Sequence, residues 1–137
     1  MKKQFSVLYA EDNEDACLML ETLFGFSDIE VKSANTVEEA WQLAHAEDFD
    51  LYILDTQFSV ESGLELCRQL REFAPDMPIF FYSGNAREID KAEGLAAGGD
   101  LFITKPHSDV LLSAVQQLVI EPAKMAPQIV NMQNFVT

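Results

Sequence analysis

The chain has 137 residues, of which 48% are apolar, and it carries a formal net charge of −14 at pH 7. This length and composition suit one globular domain with a substantial core and argue against a disordered chain. The chain has nine basic residues and no basic cluster, which argues against direct binding to nucleic acid or to anionic membranes. The negative charge favours a basic partner or a bound cation.

No stretch reaches the roughly 18–20 apolar residues that cross a bilayer. Met1-Lys2-Lys3 has the charge of a signal peptide, but its apolar stretch is short and the acids Glu11 and Asp12 follow at once. We therefore predict a cytoplasmic chain. Cys17 and Cys67 are too few for a disulfide framework and match no zinc-site spacing. Both fall on apolar helical faces, which is typical of inert core thiols.

Apolar runs and amphipathic stretches alternate along the chain. Runs rich in β-branched and aromatic residues predict five strands, at Gln4–Ala10, Ile29–Ala34, Asp50–Leu54, Pro78–Tyr82 and Leu101–Thr104. Apolar residues at helical spacing predict five helices, at Asp15–Phe26, Thr36–Ala46, Ser62–Phe73, Ala86–Ala97 and Asp109–Ile120. The second helix opens on a capping box, Thr36-Val-Glu-Glu39. We predict one domain over residues 1–121, followed by a tail or the start of a linker over 122–137.

This alternation predicts parallel strands joined by right-handed helical crossovers, and hence a doubly wound five-stranded α/β sheet flanked by five helices. The middle strands are apolar throughout, which indicates that both faces of the sheet are covered. The functional site of such a sheet lies beyond the carboxyl ends of its strands. The candidates at those positions are Glu11 and Asp12 after the first strand, Asp55 after the third, Ser83 after the fourth and Lys105-Pro106 after the fifth.

These side chains together predict metal–phosphate chemistry. Three neighbouring carboxylates repel one another unless a cation holds them, and oxygen ligands without His or Cys suit Mg²⁺ or Mn²⁺. Lys105 can pair with a carboxylate or a phosphoryl group, and the hydroxyl of Ser83 can bond a phosphoryl oxygen. Asp55 would then accept a phosphoryl group as an aspartyl phosphate. Each acid alone also fits a helix cap or a turn. The coincidence at four strand ends favours the functional interpretation.

The chain resembles the response-regulator receiver domain of two-component signalling, from about Phe5 to Ile120. The matching segments are VLYAEDNEDA, DLYILDTQFSVESGLEL, PIFFYSG and GGDLFITKP. The resemblance implies a flavodoxin-like sheet with the strand order 2-1-3-4-5. It implies that Asp55 is the phosphoacceptor, assisted by Lys105 and Ser83.

The resemblance also implies a metal site. Mg²⁺ would be held by Asp12, Asp55 and the backbone carbonyl of Gln57, with Glu11 acting largely through water. Gln57 also flanks the site together with Asn85, and both are expected to tune hydrolysis of the phosphoryl group.

A switch is implied as well. Ser83 would move toward the phosphoryl group, and Phe102 would change rotamer with it. The peptide bond between Lys105 and Pro106 is commonly cis in the family, a conformation that proline permits at small cost. The surface formed by the fourth helix, fifth strand and fifth helix would then meet a downstream protein, or a second copy in a weak dimer if the chain is not monomeric.

The implied phosphoryl donor is a sensor histidine kinase or a histidine phosphotransfer protein. Beyond losing its own phosphoryl group, the chain would turn over no external substrate and would not be an enzyme. Two departures from the family pattern stand out. Ser59 occupies a position where proline is usual, and Glu11 replaces an aspartate. Phe102 also lacks the hydroxyl of the usual tyrosine, so the switch would depend on packing.

Three other functions could use parts of this pattern. A phosphatase of the haloacid-dehalogenase type needs a second aspartate where this chain has Gln57. A flavodoxin-like FMN protein needs a Ser/Thr/Gly-rich phosphate loop where this chain has AEDNED. A pseudo-receiver that acts only as a protein-interaction module remains the alternative. The presence of all five site side chains argues against it.

Overall fold

The computed structural model describes residues 4–58, 61–85 and 87–121, and only the backbone of residues 57, 58 and 61. Four features singled out in the sequence lie outside the described residues. They are Met1-Lys2-Lys3, the irregularity at Ser59, the predicted start of the fourth helix at Ala86, and the tail over residues 122–137.

Five parallel strands form the main sheet of the described residues. The strands are β1 (Phe5–Ala10), β2 (Ile29–Ala34), β3 (Leu51–Leu54), β4 (Ile79–Ser83) and β5 (Leu101–Thr104). They lie in the order β2-β1-β3-β4-β5. The predicted doubly wound, flavodoxin-like fold with the strand order 2-1-3-4-5 is therefore confirmed.

Five helices connect and follow these strands within the described ranges. They are α1 (Glu14–Gly25), α2 (Val37–Ala46), α3 (Gly63–Phe73), α4 (Glu88–Ala96) and α5 (Ser108–Ile120). The hydroxyl of Thr36 accepts a hydrogen bond from the backbone N–H of Glu39, as in a capping box. The return bond differs, because the carboxylate of Glu39 accepts from the backbone N–H of Asn35 rather than of Thr36.

The core is centred on the middle of the sheet, where every residue of β3 and β4 is buried. Successive residues of a strand point to opposite faces, so burial of all of them means that both faces are covered. The free cysteines Cys17 and Cys67 are also buried, as predicted. Burial raises the pKa of both thiols, that of Cys67 to about 12. No helix within the described residues is long and apolar enough to cross a membrane.

A short hairpin between β3 and α3 was not predicted. Its strands, Gln57–Phe58 and Glu61–Ser62, pair antiparallel. Gly63 follows and donates its backbone N–H to the carbonyl of Thr56 at 2.8 Å. A Cβ atom at Gly63 would lie 1.7 Å from the backbone oxygen of Asp55. Only glycine therefore lets α3 begin directly against the end of β3.

Candidate functional site

Backbone hydrogen bonds hold three candidate residues at the carboxyl edge of the sheet. The backbone N–H of Glu11 donates to the last carbonyl of β2 at 2.9 Å. That of Asp55 donates to the last carbonyl of β1 at 3.2 Å, and that of Lys105 to the last carbonyl of β4 at 2.9 Å. Each residue thus continues its strand's hydrogen bonding by one position. Because the strands are parallel, the three side chains start from the same edge, as the sequence predicted.

Glu11 is buried, and both of its carboxylate oxygens accept hydrogen bonds. Its Oε1 accepts from the hydroxyl of Tyr9 at 3.3 Å and from the ammonium of Lys105. Its Oε2 accepts from the backbone N–H of Asn13 at 3.1 Å. Asp12 differs, because it is exposed to solvent. The acidic pair after β1 therefore contains one buried carboxylate and one that is exposed to solvent.

Lys105 joins the ends of β1, β3 and β5. Its Nζ lies 3.1 Å from Oδ2 of Asp55 and also donates to Glu11. Burial alone would lower the pKa of Lys105, but the hydrogen bond to Glu11 and the charge of Asp55 outweigh it, so the pKa is raised. The ammonium also lies 5.7 Å from the ring centroid of Tyr82, a cation–π contact that sequence reasoning missed. The peptide bond from Lys105 to Pro106 is cis.

The hydroxyl of Ser83 is buried beside a second hydroxyl. Its Oγ lies 2.8 Å from Oγ1 of Thr56 and accepts from the backbone N–H of Asn85 at 3.2 Å. The side-chain amide of Asn85 also donates to Oγ1 of Thr56, at 3.4 Å. Thr56 was not among the predicted site residues. Its position next to Asp55, at the end of a buried strand, is the sequence signal that could have found it.

Phe102 lies fully within the core, against residues that leave its ring little room. Its ring is stacked on that of Phe81, with centroids 5.9 Å apart. A Cβ atom at Gly94 of α4 would lie 2.9 Å from Cδ2 of Phe102. The glycine thus lets α4 pack closely on this ring. The rotamer change expected of Phe102 would start here from a ring that is already buried.

The donor atoms at this edge of the sheet are of the kind that a divalent metal ion binds. Glu11, Asp12 and Asp55 supply carboxylate oxygens, which Mg²⁺ and Mn²⁺ prefer. Among the residues described, however, no three His, Cys, Asp or Glu side chains are grouped closely enough to hold one ion. The ammonium of Lys105 bonds to two of these carboxylates instead. The metal ligands, including the backbone carbonyl of Gln57, stay predictions.

Comparisons with known proteins agree with this arrangement. A family model described as the response regulator receiver domain matches residues 7–116. YrkP of Bacillus subtilis (strain 168), named an uncharacterized transcriptional regulatory protein, is 37% identical over 110 residues, covering 80% of this chain and 47% of YrkP. The alkaline phosphatase synthesis transcriptional regulatory protein PhoP of the same bacterium is 30% identical over 128 residues, covering 93% of this chain and 53% of PhoP.

The chain thus spans about half the length of these curated relatives. Among solved structures, the receiver domain of the Francisella response regulator 1452 superposes with a TM-score of 0.79 at 27% identity, covering 85% of this chain and 98% of that one. The fold, the residues at the strand ends and the family match lead to the same assignment. This chain belongs to the response regulator receiver domain family of two-component signalling.

Proposed function

We propose that Asp55 is a phosphoacceptor that takes a phosphoryl group from a phosphohistidine on a sensor kinase or a histidine phosphotransfer protein. The carrying observation is the ammonium of Lys105, which lies 3.1 Å from Oδ2 of Asp55 and also bonds to Glu11. An acid placed at the end of a buried strand, beside a fixed positive charge, is suited to bind a phosphoryl group.

In the transfer, a carboxylate oxygen of Asp55 attacks phosphorus and forms the new P–O bond. The P–N bond to the donor imidazole breaks, and the ring nitrogen keeps the electron pair. Lys105 pairs with the negative charge of the phosphoryl oxygens. Asp12, Asp55 and the backbone carbonyl of Gln57 would hold Mg²⁺ or Mn²⁺, with Glu11 acting through water. The bound ion would supply further positive charge against the phosphoryl oxygens.

The acyl phosphate would then bias a switch, because it adds negative charge and acceptor oxygens. Ser83 donates its hydroxyl to a phosphoryl oxygen, and Phe102 adjusts its packing under α4. The surface of α4, β5 and α5 changes as a result and meets a downstream protein, or a second copy in a weak dimer. With a net charge of −14, the chain itself is not expected to bind nucleic acid.

Receiver domains are signalling domains, and we propose that this one turns over no external substrate. Its domain would span residues 1–121, with 122–137 as a tail or linker, and it would act in the cytoplasm.

Intact-mass measurement with acetyl phosphate and Mg²⁺ tests this function. We expect the mass of one phosphoryl group on the wild-type chain and none on Asp55→Asn. An equal mass gain in both proteins would contradict the assignment of Asp55. No gain in either, with no binding of beryllofluoride, would favour the pseudo-receiver alternative.

A further inference from the structure

Thr56 and Ser83 form a buried hydroxyl pair next to the proposed phosphoacceptor. Thr56 is 7% exposed and Ser83 is 1% exposed, and their oxygens are 2.8 Å apart. The two residues are 27 positions apart in sequence and come from neighbouring strand ends. This buried hydrogen bond joins Thr56, the residue next to Asp55 in sequence, to Ser83, the residue that is expected to switch.

The hydrogen-bond inventory of Ser83 is limited. A serine hydroxyl has one proton to donate and two lone pairs to accept with. In this structure the oxygen of Ser83 accepts from the backbone N–H of Asn85 and shares one further bond with Thr56. Either hydroxyl can donate in that bond, and where Ser83 is the donor it must turn its proton from Thr56 toward Asp55 to reach a phosphoryl oxygen. If it also moves toward the phosphoryl group, it lengthens or breaks its bond to Thr56.

We propose that Thr56 is a positioning residue whose hydroxyl holds Ser83 in the resting arrangement and so opposes activation. This inference rests on the proposed function, since it assumes that a phosphoryl group on Asp55 draws Ser83 toward it. Thr56 does not touch the phosphoryl group in this scheme. It acts through Ser83 alone, by setting how often Ser83 is free to meet that group.

The size of the effect follows from the single bond at stake. One neutral buried hydrogen bond shifts an equilibrium by about 2- to 12-fold. When only a fraction of the molecules is competent to bind, a ligand's apparent affinity falls by that fraction. Removal of the Thr56 hydroxyl should therefore tighten binding of an activating ligand by up to the same factor.

Beryllofluoride with Mg²⁺, a stable mimic of the phosphoryl group, is the probe, and its affinity is measured by calorimetric titration of the full chain. Thr56→Val keeps the shape of the side chain and removes the hydroxyl, and Thr56→Ala serves as a second variant without it. Thr56→Ser restores the hydroxyl and should rescue the wild-type affinity. Urea unfolding of each variant checks that the fold is retained.

A double-mutant cycle with Ser83→Ala separates a hydroxyl latch from general loosening of the site. We expect Thr56→Val to bind beryllofluoride about 2- to 12-fold more tightly than wild type, and to change nothing when Ser83 is already alanine. Unchanged or weaker binding in both Thr56 variants would overturn the latch, and so would equal tightening in the Ser83→Ala background. A wild-type chain that binds no beryllofluoride would overturn the proposed function, and the latch with it.

Discussion

Replacement of Lys105 by methionine tests the charge balance at the carboxyl edge of the sheet. The ammonium of Lys105 pairs with two carboxylates, and the side chains of Glu11 and Asp55 are only 3% and 13% exposed. Methionine keeps a long, unbranched side chain but carries no charge. The substitution therefore leaves two poorly hydrated carboxylates facing each other without the cation that holds them.

The loss of stability can be worked from the distance to Asp55. At 3.1 Å and an effective dielectric constant of 20, one such pair attracts by about 5 kcal/mol. Desolvation of the ammonium offsets part of this attraction. Removal of one partner from a buried ion pair typically costs about 3–5 kcal/mol, because the remaining charge is left uncompensated. We expect Lys105→Met to lower the free energy of unfolding by about 3 kcal/mol.

Urea unfolding at neutral pH measures this loss. The pKa of Lys105 is raised in the folded chain. The stability that its charge contributes is therefore complete below the ordinary lysine pKa near 10.5, which includes neutral pH, and is lost only as the pH rises through the raised value. Lys32→Met is the matched control, because it removes an ion pair to Glu47 in which both side chains are more than a third exposed. Surface pairs contribute little, so the control should lose much less stability.

Two further measurements complete the experiment. Millimolar Mg²⁺ should stabilise Lys105→Met more than wild type, since a bound cation would replace the missing charge. Asp55→Asn added to Lys105→Met should recover part of the loss, because it removes one of the two facing carboxylates. If Lys105→Met lost no more stability than Lys32→Met, the bridging role of Lys105 would be refuted.

Three other outcomes are expected. Gly63→Ala should destabilise the chain by about 2 kcal/mol or more in urea unfolding, because the added Cβ would lie 1.7 Å from the backbone oxygen of Asp55. Gly25→Ala is the control and should cost little stability, because a Cβ atom there would have nothing within 4 Å. Neither buried cysteine should react with a thiol reagent at mildly alkaline pH until the chain unfolds, because burial raises the pKa of Cys67 to about 12 and that of the other thiol as well; rapid labelling of the folded chain would contradict this. Burial, reinforced by the charge of Glu11, raises the pKa of Tyr9. The stability that the neutral phenol contributes to the fold is therefore complete below the ordinary phenol pKa of about 10 and is lost as the pH rises above that value. In urea titrations over that alkaline range, the free energy of unfolding should fall less for Tyr9→Phe than for wild type. Identical losses in the two proteins would contradict this role of Tyr9.

Much of the fold could be predicted because the signals for it are local. A run such as LYIL in β3 is apolar at every position, which a strand needs when both faces of its sheet are covered. Alternation of such runs with amphipathic helices allows few topologies other than a parallel, doubly wound sheet. The edge at which Glu11, Asp55 and Lys105 meet then follows from strand direction alone.

Other features depend on contacts between residues far apart in sequence. The hairpin after β3 has strands of two residues, too short to show a period of alternation. The need for glycine at Gly63 comes from its approach to the backbone of Asp55, which is a property of packing rather than of sequence pattern. The same holds for Gly94, whose missing side chain makes room for the ring of Phe102.

The amino-acid sequence by itself determined the elements, their order and the side-chain types at the edge of the sheet, because these depend on hydrophobic periodicity and strand direction. Only the tertiary structure decided how those side chains are paired. Lys105 bonds to Glu11 across 94 positions of sequence, and Ser83 bonds to Thr56 across 27. Hydrogen bonds are short and directional, so such pairings depend on atomic positions that only the packed sheet defines.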